Sequence, residues 1–336
     1  MLGSAVPFAV PLSRRFRGVQ QRAGLLLHGS SGWGEFAPFA EYDAPATARW
    51  LAAAVEAAYG EWPAAVRDSV PVNAIVPAVR ADDAAALVRQ AVTVSGVATV
   101  KVKVAEAGEA LADDVARVAA VRAALGSAGR IRVDVNGHWS VDDAAAALPL
   151  LDEAAGGLEY VEQPVATLAE LAALRRRVAV PVAADETFRS AADLDDPALH
   201  AGLREAADVV VLKVSPLGGV GRALELAARV GLPVVVSGAM DSAVGLSAGV
   251  ALAAALPRLD YACGLGTGAL LAADVVDPPL TAAGGTLRPG RVEPDPAALA
   301  VAAGRVDTAS RLWWHERLTA AWVAGARDRV GHLVAA

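Results

Sequence analysis

The sequence has few residues of several types, and each shortage narrows what the chain can do. Cysteine occurs once in 336 residues, at Cys263, so no internal disulfide forms and a reducing compartment is expected. The 30 Lys and Arg residues are outnumbered by 37 Asp and Glu residues, and this acidic balance argues against nonspecific binding to nucleic acid. Because 55% of the residues are hydrophobic and only 20% are charged, general disorder is also excluded.

Segments that would place the chain in a membrane are also missing. Residues 1–12 carry no basic residue before their apolar stretch, which is unlike a signal peptide. The most apolar stretch, 242–257, is shorter than the roughly 20 residues that span a bilayer, and its composition favours a buried helix. We therefore expect a cytoplasmic protein without membrane insertion, and the sequence is compatible with a monomer or a homo-oligomer.

Lysine is the scarcest basic residue, and its positions are informative. Only Lys101, Lys103 and Lys213 occur, and the other 27 basic residues are arginine. All three lysines lie in β-branched runs, at 100–104 (VKVKV) and 209–214 (VVVLKV). Arginine stays protonated in proteins, whereas a desolvated lysine can become a neutral base. The distribution indicates positions where chemistry requires lysine, and the alternative is edge-strand lysines retained by chance.

From about residue 70 the chain alternates short apolar strands with helical stretches. Near-continuous Val and Ile strands are typical of a parallel sheet covered by helices, and eight of them indicate a closed barrel. An open doubly wound sheet is the alternative, but no glycine-rich phosphate-binding sequence follows the first strand. The predicted strands are 72–78, 97–104, 131–136, 158–163, 180–185, 208–214, 233–237 and 260–265.

The two ends of the chain lack this rhythm. Residues 1–40 alternate apolar and polar positions as antiparallel strands do, and 47–59 is a helix candidate. We predict an α/β fold, a modified TIM barrel of the (β/α)7β type, with an α+β capping domain built from both termini. The predicted boundaries are 1–70 for the N-terminal part of the capping domain, 71–284 for the barrel and 285–336 for the returning C-terminal segment.

Six successive predicted strands end in a polar residue, and the ends of parallel strands form the active face of a barrel. The middle three are carboxylates, which repel one another unless a cation lies between them. Oxygen donors without histidine or cysteine favour Mg²⁺ or Mn²⁺ over Zn²⁺, although each carboxylate alone could cap a helix. Glu186 is expected to point away from the neighbouring carboxylate if the strand continues. The six residues are Lys103, Asp134, Glu162, Asp185, Lys213 and Ser237, of which Asp134, Glu162 and Asp185 are the predicted metal ligands.

The lysines suggest how such a metal would be used. Lys101 and Lys103 are two apart, so both face the barrel interior, and Lys213 approaches from the opposite side. A metal between opposed lysines suits removal of a proton α to a carboxylate while the metal stabilises the enediolate. Burial and nearby positive charge are expected to lower the pKa of at least one lysine. A Schiff-base aldolase is disfavoured because it needs one lysine and no carboxylate trio.

Further residues at the predicted rim are candidates for substrate contacts. The segment 237–242 precedes the seventh barrel helix, whose N-terminal amides are predicted to hold a substrate carboxylate, with an ordinary helix cap as the alternative. The five histidines are scattered without metal-binding spacing, and only His138 lies near the rim. The substrate-binding candidates are Asn136, Ser237, Gly238 and Asp241.

Taken together, these motifs resemble the muconate-lactonizing branch of the enolase superfamily over essentially the whole chain. The residues that carry the resemblance are Lys101-x-Lys103, Asp134-x-Asn136, Glu162-Gln163-Pro164, Asp185-Glu186 and 213–219 (KVSPLGG). The loop 34–39 (GEFAPF), the strand 72–78 (VNAIVPA) and the compact length are similar to the menaquinone-pathway dehydratases of that branch.

The resemblance implies a role for each site residue. It implies that Lys103 removes the α proton of 2-succinyl-6-hydroxy-2,4-cyclohexadiene-1-carboxylate and then, protonated, assists loss of the hydroxyl as water. Mg²⁺, with Mn²⁺ as a possible substitute, would stabilise the enediolate on the three carboxylates. Lys213 would act as a cation on the opposite face, and Lys101 would support the carboxylate and lower the pKa of Lys103. Asp241 departs from the glutamate that members of the branch often carry there.

Two other functions stay open at this point. A racemase or epimerase of N-succinylamino acids also needs two opposed lysines, which exchange protons on both faces of one carbon. A noncatalytic barrel that binds or scaffolds is the alternative from another class. The three lysines and three carboxylates, in a chain that otherwise avoids lysine, count against that alternative.

Overall fold

The N-terminal part of the chain forms an antiparallel sheet with one helix packed on it. The computed structural model describes residues 5–16 and 18–334. Strands β1 (Val6–Phe16), β2 (Val19–Gly29) and β3 (Gly32–Phe36) pair in chain order, as the alternating pattern predicts. Asp43 caps helix α1 (Ala44–Tyr59), because its side chain accepts from the amide of Ala46 at 2.9 Å.

Seven parallel strands follow, each hydrogen-bonded to the next along the chain. Their outward residues, such as Val100 and Val102, pack against the surrounding helices, while Lys101 between them faces the barrel interior. A two-residue strand, β4 (Val70–Pro71), precedes them. The seven strands are β5 (Ala74–Val76), β6 (Thr99–Lys103), β7 (Arg130–Asp134), β8 (Tyr160–Glu162), β9 (Val182–Ala184), β10 (Val209–Leu212) and β11 (Val234–Val236).

Helices connect these strands and begin with the predicted caps. Ser140 accepts from the amide of Asp143 at 3.2 Å, and Thr167 and Glu170 form a reciprocal capping box. The helices are α2 (Ala81–Ser95), α3 (Leu111–Leu125), α4 (Val141–Ala155), α5 (Leu168–Arg175), α6 (Glu186–Arg189), α7 (Pro197–Ala206), α8 (Val214–Leu217), α9 (Val220–Val230) and α10 (Ala243–Ala255). The apolar stretch expected to be a buried helix is α10. Within the described ranges, no helix has both the length and the apolar character needed to cross a bilayer.

The eighth predicted strand, 260–265, is the barrel segment in which the structure differs most from the prediction. Instead of a regular strand, it makes one parallel bridge to each sheet edge, Val72 with Cys263 and Ser237 with Gly264. The amide of Asn73 donates to the Cys263 carbonyl at 2.9 Å, so these bridges close the barrel. Glycine at 264 and 266 weakens a regular strand, which explains the difference.

The C-terminal segment returns to the N-terminal sheet and helix. Strand β12 (Thr286–Leu287) pairs antiparallel with β4. Trp314 and Leu318 pack in one buried cluster with Trp50 and Leu51 of α1, which confirms a capping domain built from both termini. The helices are α11 (Pro296–Gly304), α12 (Thr308–Ala321) and α13 (Arg327–Val334), and the chain between the last two kinks at Gly325, which has a φ of 137°.

Candidate active site

Three carboxylates lie at the carboxyl ends of neighbouring barrel strands. Asp134 ends β7 and pairs in register with Glu162, which ends β8, and Asp185 directly follows β9. Each is at most 1% exposed. The barrel therefore brings together the three residues that the strand-end pattern selects.

Lys101 bridges two of these carboxylates. Its Nζ lies 2.9 Å from Asp134 Oδ2 and 2.8 Å from Glu162 Oε1. Burial alone would lower the pKa of Lys101, but the two carboxylates outweigh it and hold the pKa above its ordinary value. Lys101 is therefore not the lysine whose pKa is lowered, and it stays protonated in this arrangement.

Lys103 shares Asp134 with Lys101 and also contacts Asn136. Its Nζ lies 2.7 Å from Asp134 Oδ2 and 2.5 Å from Asn136 Oδ1. Asn136 has a φ of 53°, and its Nδ2 donates to Glu186 Oε1 at 3.2 Å. The asparagine thus links the lysine to a carboxylate beyond the trio.

Lys213 approaches the third carboxylate from across the barrel. It directly follows β10, four strands along from the strand of Lys101 and Lys103, which is the opposite side of an eight-segment barrel. The Nζ of Lys213 contacts Asp185 Oδ2, and the residue is 6% exposed. Lysines therefore flank the carboxylates from two sides.

The three carboxylates differ in their electrostatic surroundings. Burial raises the pKa of Glu162 to about 7, and the charges of Asp134 and Asp185 add to this while Lys101 and Lys213 oppose it. Burial would also raise the pKa of Asp134, but Lys101 and Lys103 hold it well below its usual range. Glu162, between two other carboxylates, is thus the member that gains most from an added cation.

Asp185 is held by an arginine as well as by Lys213. Burial would raise its pKa, but Arg189 and then Lys213 outweigh it and lower the pKa below the ordinary value. Arg189 Nε lies 2.9 Å from Asp185 Oδ1, and Arg189 Nη2 lies 2.7 Å from Glu186 Oε1. The strand does not continue at this point. Because α6 begins at Glu186, the condition under which its side chain would point away from Asp185 is not met, and the side chain contacts Asn136 and Arg189.

The helix amides predicted to hold a substrate carboxylate already have acceptors. The amides of Ser242 and Gly245 donate to Glu35 Oε2 at 2.9 Å and 3.3 Å, and the amide of Ala243 donates to Asp274 at 3.1 Å. Protein carboxylates therefore occupy the N-terminus of α10, and this part of the prediction is wrong. The helix is capped, as the alternative interpretation predicts, but by residues that are distant in the sequence.

The loop before this helix is held by contacts with the eighth barrel segment and by one contact within the loop. The hydroxyl of Ser237 and the amide of Gly238 both donate to the Gly264 carbonyl, at 3.3 Å and 3.0 Å. Asp241 Oδ2 accepts from the amide of Ala239 at 2.7 Å. Together with Lys213, Ser237 and Asp241 line a cavity of about 10 Å³, which is room for one water molecule.

His138 is exposed and does not contact the carboxylates. Its Nδ1 lies 3.1 Å from the carbonyl oxygen of Ala105.

Comparison with known proteins shows the family to which the chain belongs. The chain matches the Enolase N-terminal domain-like family over residues 7–58 and the Enolase C-terminal domain-like family over residues 83–295. It is 57% identical over 317 residues to the o-succinylbenzoate synthase of Thermobifida fusca, covering 94% of this chain and 95% of that protein. It is 51% identical over 316 residues to the o-succinylbenzoate synthase of Mycobacterium ulcerans, covering 94% and 92%. The chain belongs to the o-succinylbenzoate synthase family of the enolase superfamily.

Solved structures of the enolase superfamily share the fold. An enolase from Mycobacterium smegmatis complexed with tartrate aligns with a TM-score of 0.74 at 21% identity, covering 90% of each chain. The muconate lactonizing enzyme of Pseudomonas putida aligns with a TM-score of 0.71 at 20% identity, covering 89% of this chain and 98% of that chain. The predicted barrel with a capping domain is therefore confirmed.

Membership of the enolase superfamily implies a divalent metal ion. Among residues 5–16 and 18–334, no three acidic, histidine or cysteine side chains stand in an arrangement that holds a metal, and lysine Nζ atoms lie against the carboxylate oxygens. The donor chemistry fits such an ion nonetheless. Asp134, Glu162 and Asp185 offer only buried carboxylate oxygens, which are the donors that hard divalent cations prefer.

Several residues that hold this site in place are not predicted from the sequence. Gln163 Oε1 accepts from the amides of Asp185 and Thr187 at 3.0 Å and 3.2 Å, so it fixes the end of the neighbouring strand. Its place between Glu162 and a proline was the only signal for it. Arg189 gave no signal, because one arginine among 27 does not stand out. Glu35 lies in the segment 34–39, which carries only a similarity to a family, and the sequence assigns the residue no role.

Proposed function

We propose that this chain is a Mg²⁺-dependent carbon–oxygen lyase of menaquinone biosynthesis. It removes water from 2-succinyl-6-hydroxy-2,4-cyclohexadiene-1-carboxylate and gives 2-succinylbenzoate. The observation that carries the proposal is that Lys103 and Lys213 approach one cluster of buried carboxylates from opposite sides of the barrel. The identity of 57% to an o-succinylbenzoate synthase supports the same reaction.

Asp134, Glu162 and Asp185 are the residues that would hold the ion, with Mn²⁺ as a possible substitute for Mg²⁺. When bound, the ion supplies positive charge that stabilises the negative charge developing on the substrate carboxylate. Lys101 and Lys103 both contact Asp134 Oδ2 in this structure. An ion held there would compete with these ammonium groups for the carboxylate oxygens.

Lys103 carries the proton transfers in this proposal. In its neutral form it takes the α proton; the electron pair of the broken C–H bond is first held by the substrate carboxylate and enters the ring only as the hydroxyl leaves. The protonated Lys103 then gives this proton to the departing hydroxyl, so the C–O bond breaks, water leaves and the ring becomes aromatic. Because one lysine serves both steps, the proton and the hydroxyl leave from the same face. The contact with Asn136 Oδ1 orients the Lys103 Nζ for this role.

The other two lysines act as fixed charges. Lys101 stays protonated between Asp134 and Glu162, and a positive charge two residues from Lys103 favours the neutral form of that base. Lys213 provides a cation on the face opposite Lys103. The loop residues Ser237, Gly238 and Asp241 are proposed to face substrate, together with Asn136, because that loop directly follows β11 at the carboxyl end of the barrel.

A racemase of N-succinylamino acids is the second candidate. The same opposed lysines, Lys103 and Lys213, are what that reaction needs, since one removes a proton and the other returns it on the far face. In that reaction Lys213 exchanges a proton, whereas in dehydration it only carries charge. The two functions therefore differ in whether Lys213 is a proton carrier.

The direct test mixes the purified protein with Mg²⁺ and the cyclohexadiene carboxylate. Aromatisation is followed by ultraviolet absorbance, and loss of water by mass spectrometry. Rapid Mg²⁺-dependent dehydration is the expected result. Failure to dehydrate, combined with α-proton exchange of N-succinylamino acids in heavy water, would move the chain to the racemase function. Failure of both reactions would overturn the proposal.

A further inference from the structure

Arg189 connects the capping domain to the carboxylate cluster through three separate contacts. Its side chain is 6% exposed, and each guanidinium nitrogen has a different partner. Nε contacts Asp185 Oδ1 at 2.9 Å, Nη2 contacts Glu186 Oε1 at 2.7 Å, and Nη1 donates to the hydroxyl of Tyr42 at 2.6 Å. The planar fork of arginine fixes the relative positions of all three groups, which a flexible lysine does not do.

These contacts determine which oxygen of Asp185 faces the carboxylate cluster. Arg189 holds Oδ1, while Oδ2 contacts Lys213 on the cluster side. The amide of Asp185 is separately held by Gln163. The carboxylate is therefore fixed at one oxygen and presents the other to the cluster.

Tyr42 is itself held firmly in the capping domain. Its ring centroid lies 5.9 Å from that of Trp50 and 6.2 Å from that of Phe39, and its carbonyl accepts from Arg317 Nη2 at 2.8 Å. Two different parts of the capping domain therefore hold this residue, the α1 region and helix α12. A shift of the capping domain relative to the barrel therefore moves the Tyr42 hydroxyl, which Arg189 contacts.

The same contacts continue to the proposed base. Glu186 Oε1 accepts from both Arg189 and Asn136, and Asn136 Oδ1 contacts Lys103 Nζ. A direct chain of polar contacts thus runs from Tyr42 in the capping domain to Lys103 in the barrel. Both the proposed metal ligand Asp185 and the proposed base depend on the position of one guanidinium.

We propose that Arg189 is a positioning residue that, anchored by Tyr42, holds Asp185 in the orientation for binding a divalent metal and so couples metal binding to the seating of the capping domain. This inference rests on the proposed function, because it takes Asp185 as a metal ligand. Residues that orient metal ligands in this way typically change metal affinity by about 10–100-fold when they are removed.

A positioning role and a purely electrostatic role predict opposite results. Removing the positive charge of Arg189 strengthens the attraction between the carboxylates and a cation, so an electrostatic role predicts tighter metal binding in Arg189→Met. A positioning role predicts weaker binding, because Asp185 loses its orientation. The sign of the change in dissociation constant therefore distinguishes them.

The experiment titrates Mn²⁺ into the metal-free full-length protein and follows binding by electron paramagnetic resonance and calorimetry. We expect Arg189→Met to weaken Mn²⁺ binding by about tenfold or more, Tyr42→Phe to weaken it several-fold, and Arg189→Lys to restore it only partly. Arg175→Met, which removes a partly exposed partner of Asp208, and Tyr59→Phe, which removes a hydroxyl bonded to the His28 carbonyl, are the matched controls and should bind as the wild type does.

Unchanged or tighter Mn²⁺ binding in Arg189→Met overturns the inference. If that variant does not fold, judged by circular dichroism, Tyr42→Phe and Arg189→Lys decide the question in the same way. Failure of the proposed function is recognised separately, because the wild type itself would then bind no Mn²⁺ or Asp185→Asn would bind it normally.

Discussion

Glu35 in the capping domain accepts hydrogen bonds from both the amide and the hydroxyl of Ser242, which lies 207 residues further along the chain. The amide of Gly245 donates to the same oxygen, so a residue of the capping domain caps a barrel helix. An anion at a helix N-terminus is favourable, but this one is only 5% exposed. Burial, and next the charge of Asp241, raise the pKa of Glu35 to about 8.

The raised pKa of Glu35 predicts that the fold loses stability as the pH rises. The folded state favours the protonated form, so this contribution is fully present below pH 4.5, the ordinary pKa of the group, and is lost as the pH rises to about 8. The free energy of unfolding should fall through this window by at most about 1.4 kcal/mol per pH unit. Urea denaturation at a series of pH values measures it.

Glu35→Gln should remove this pH dependence, because an amide of the same shape keeps an acceptor for Ser242 and does not titrate. The matched control is Glu153→Gln on the surface of α4, which should leave the pH profile unchanged. A profile in which Glu35→Gln follows the wild type at every pH would contradict the assignment.

Glu56 makes a second cap between the two parts of the molecule. Its carboxylate accepts from the amides of Val220 and Gly221, at 2.5 Å and 2.9 Å, at the start of α9. Replacing it in Glu56→Ala leaves these amides without that acceptor and should lower the free energy of unfolding by about 0.5–2 kcal/mol. Equilibrium denaturation in urea gives the value.

The control for Glu56 is Asp307→Ala, which removes a cap that acts within one segment of the chain, on the amide of Ser310. Because Glu56 lies in the capping domain, its loss should also speed proteolytic cleavage between the two units, whereas loss of Asp307 should not. Equal cleavage rates in both variants would show that the Glu56 cap does not hold the units together.

Lys103→Arg tests the proposed base. Arginine keeps the positive charge and can still contact Asp134, but it does not deprotonate near neutral pH. We expect dehydration to slow by about 10²–10⁴-fold, the usual contribution of a positioned general base. The measurement is ultraviolet absorbance of the aromatic product, with Arg130→Lys at an exposed position as control. Full activity in Lys103→Arg would mean that another group removes the proton.

The sequence predicts which side chains lie together when their positions depend on where strands end. It does not predict the hydrogen-bond partner of a group when that partner is distant in the sequence. Asp134, Glu162 and Asp185 could be placed together because short, nearly continuous apolar runs locate the strand ends and a barrel gathers them. The amides of α10 were assigned to substrate because nothing local indicates that Glu35, from another domain, already binds them. The raised pKa of Lys101 depends on two contacts across neighbouring strands, and burial alone indicated the opposite direction.

Gly34→Ala tests how closely the capping sheet packs on its helix. A Cβ at Gly34 would lie 1.9 Å from the carbonyl oxygen of Ala54, a backbone atom of α1 that cannot move without shifting the helix. We expect destabilisation of about 1–3 kcal/mol or more, the usual cost of overpacking a close contact.

Gly304→Ala is the control, because nothing lies within 4 Å of its added Cβ and the loss of backbone freedom in the unfolded chain should stabilise the protein by about 0.4–1 kcal/mol. Thermal unfolding of the two variants should therefore shift in opposite directions, and a Gly34→Ala protein as stable as the wild type would mean that the sheet and α1 can separate freely. Because Glu35 follows Gly34 directly, such a separation would also release the cap on α10, so a destabilised Gly34→Ala protein should show a weaker dependence of stability on pH than the wild type.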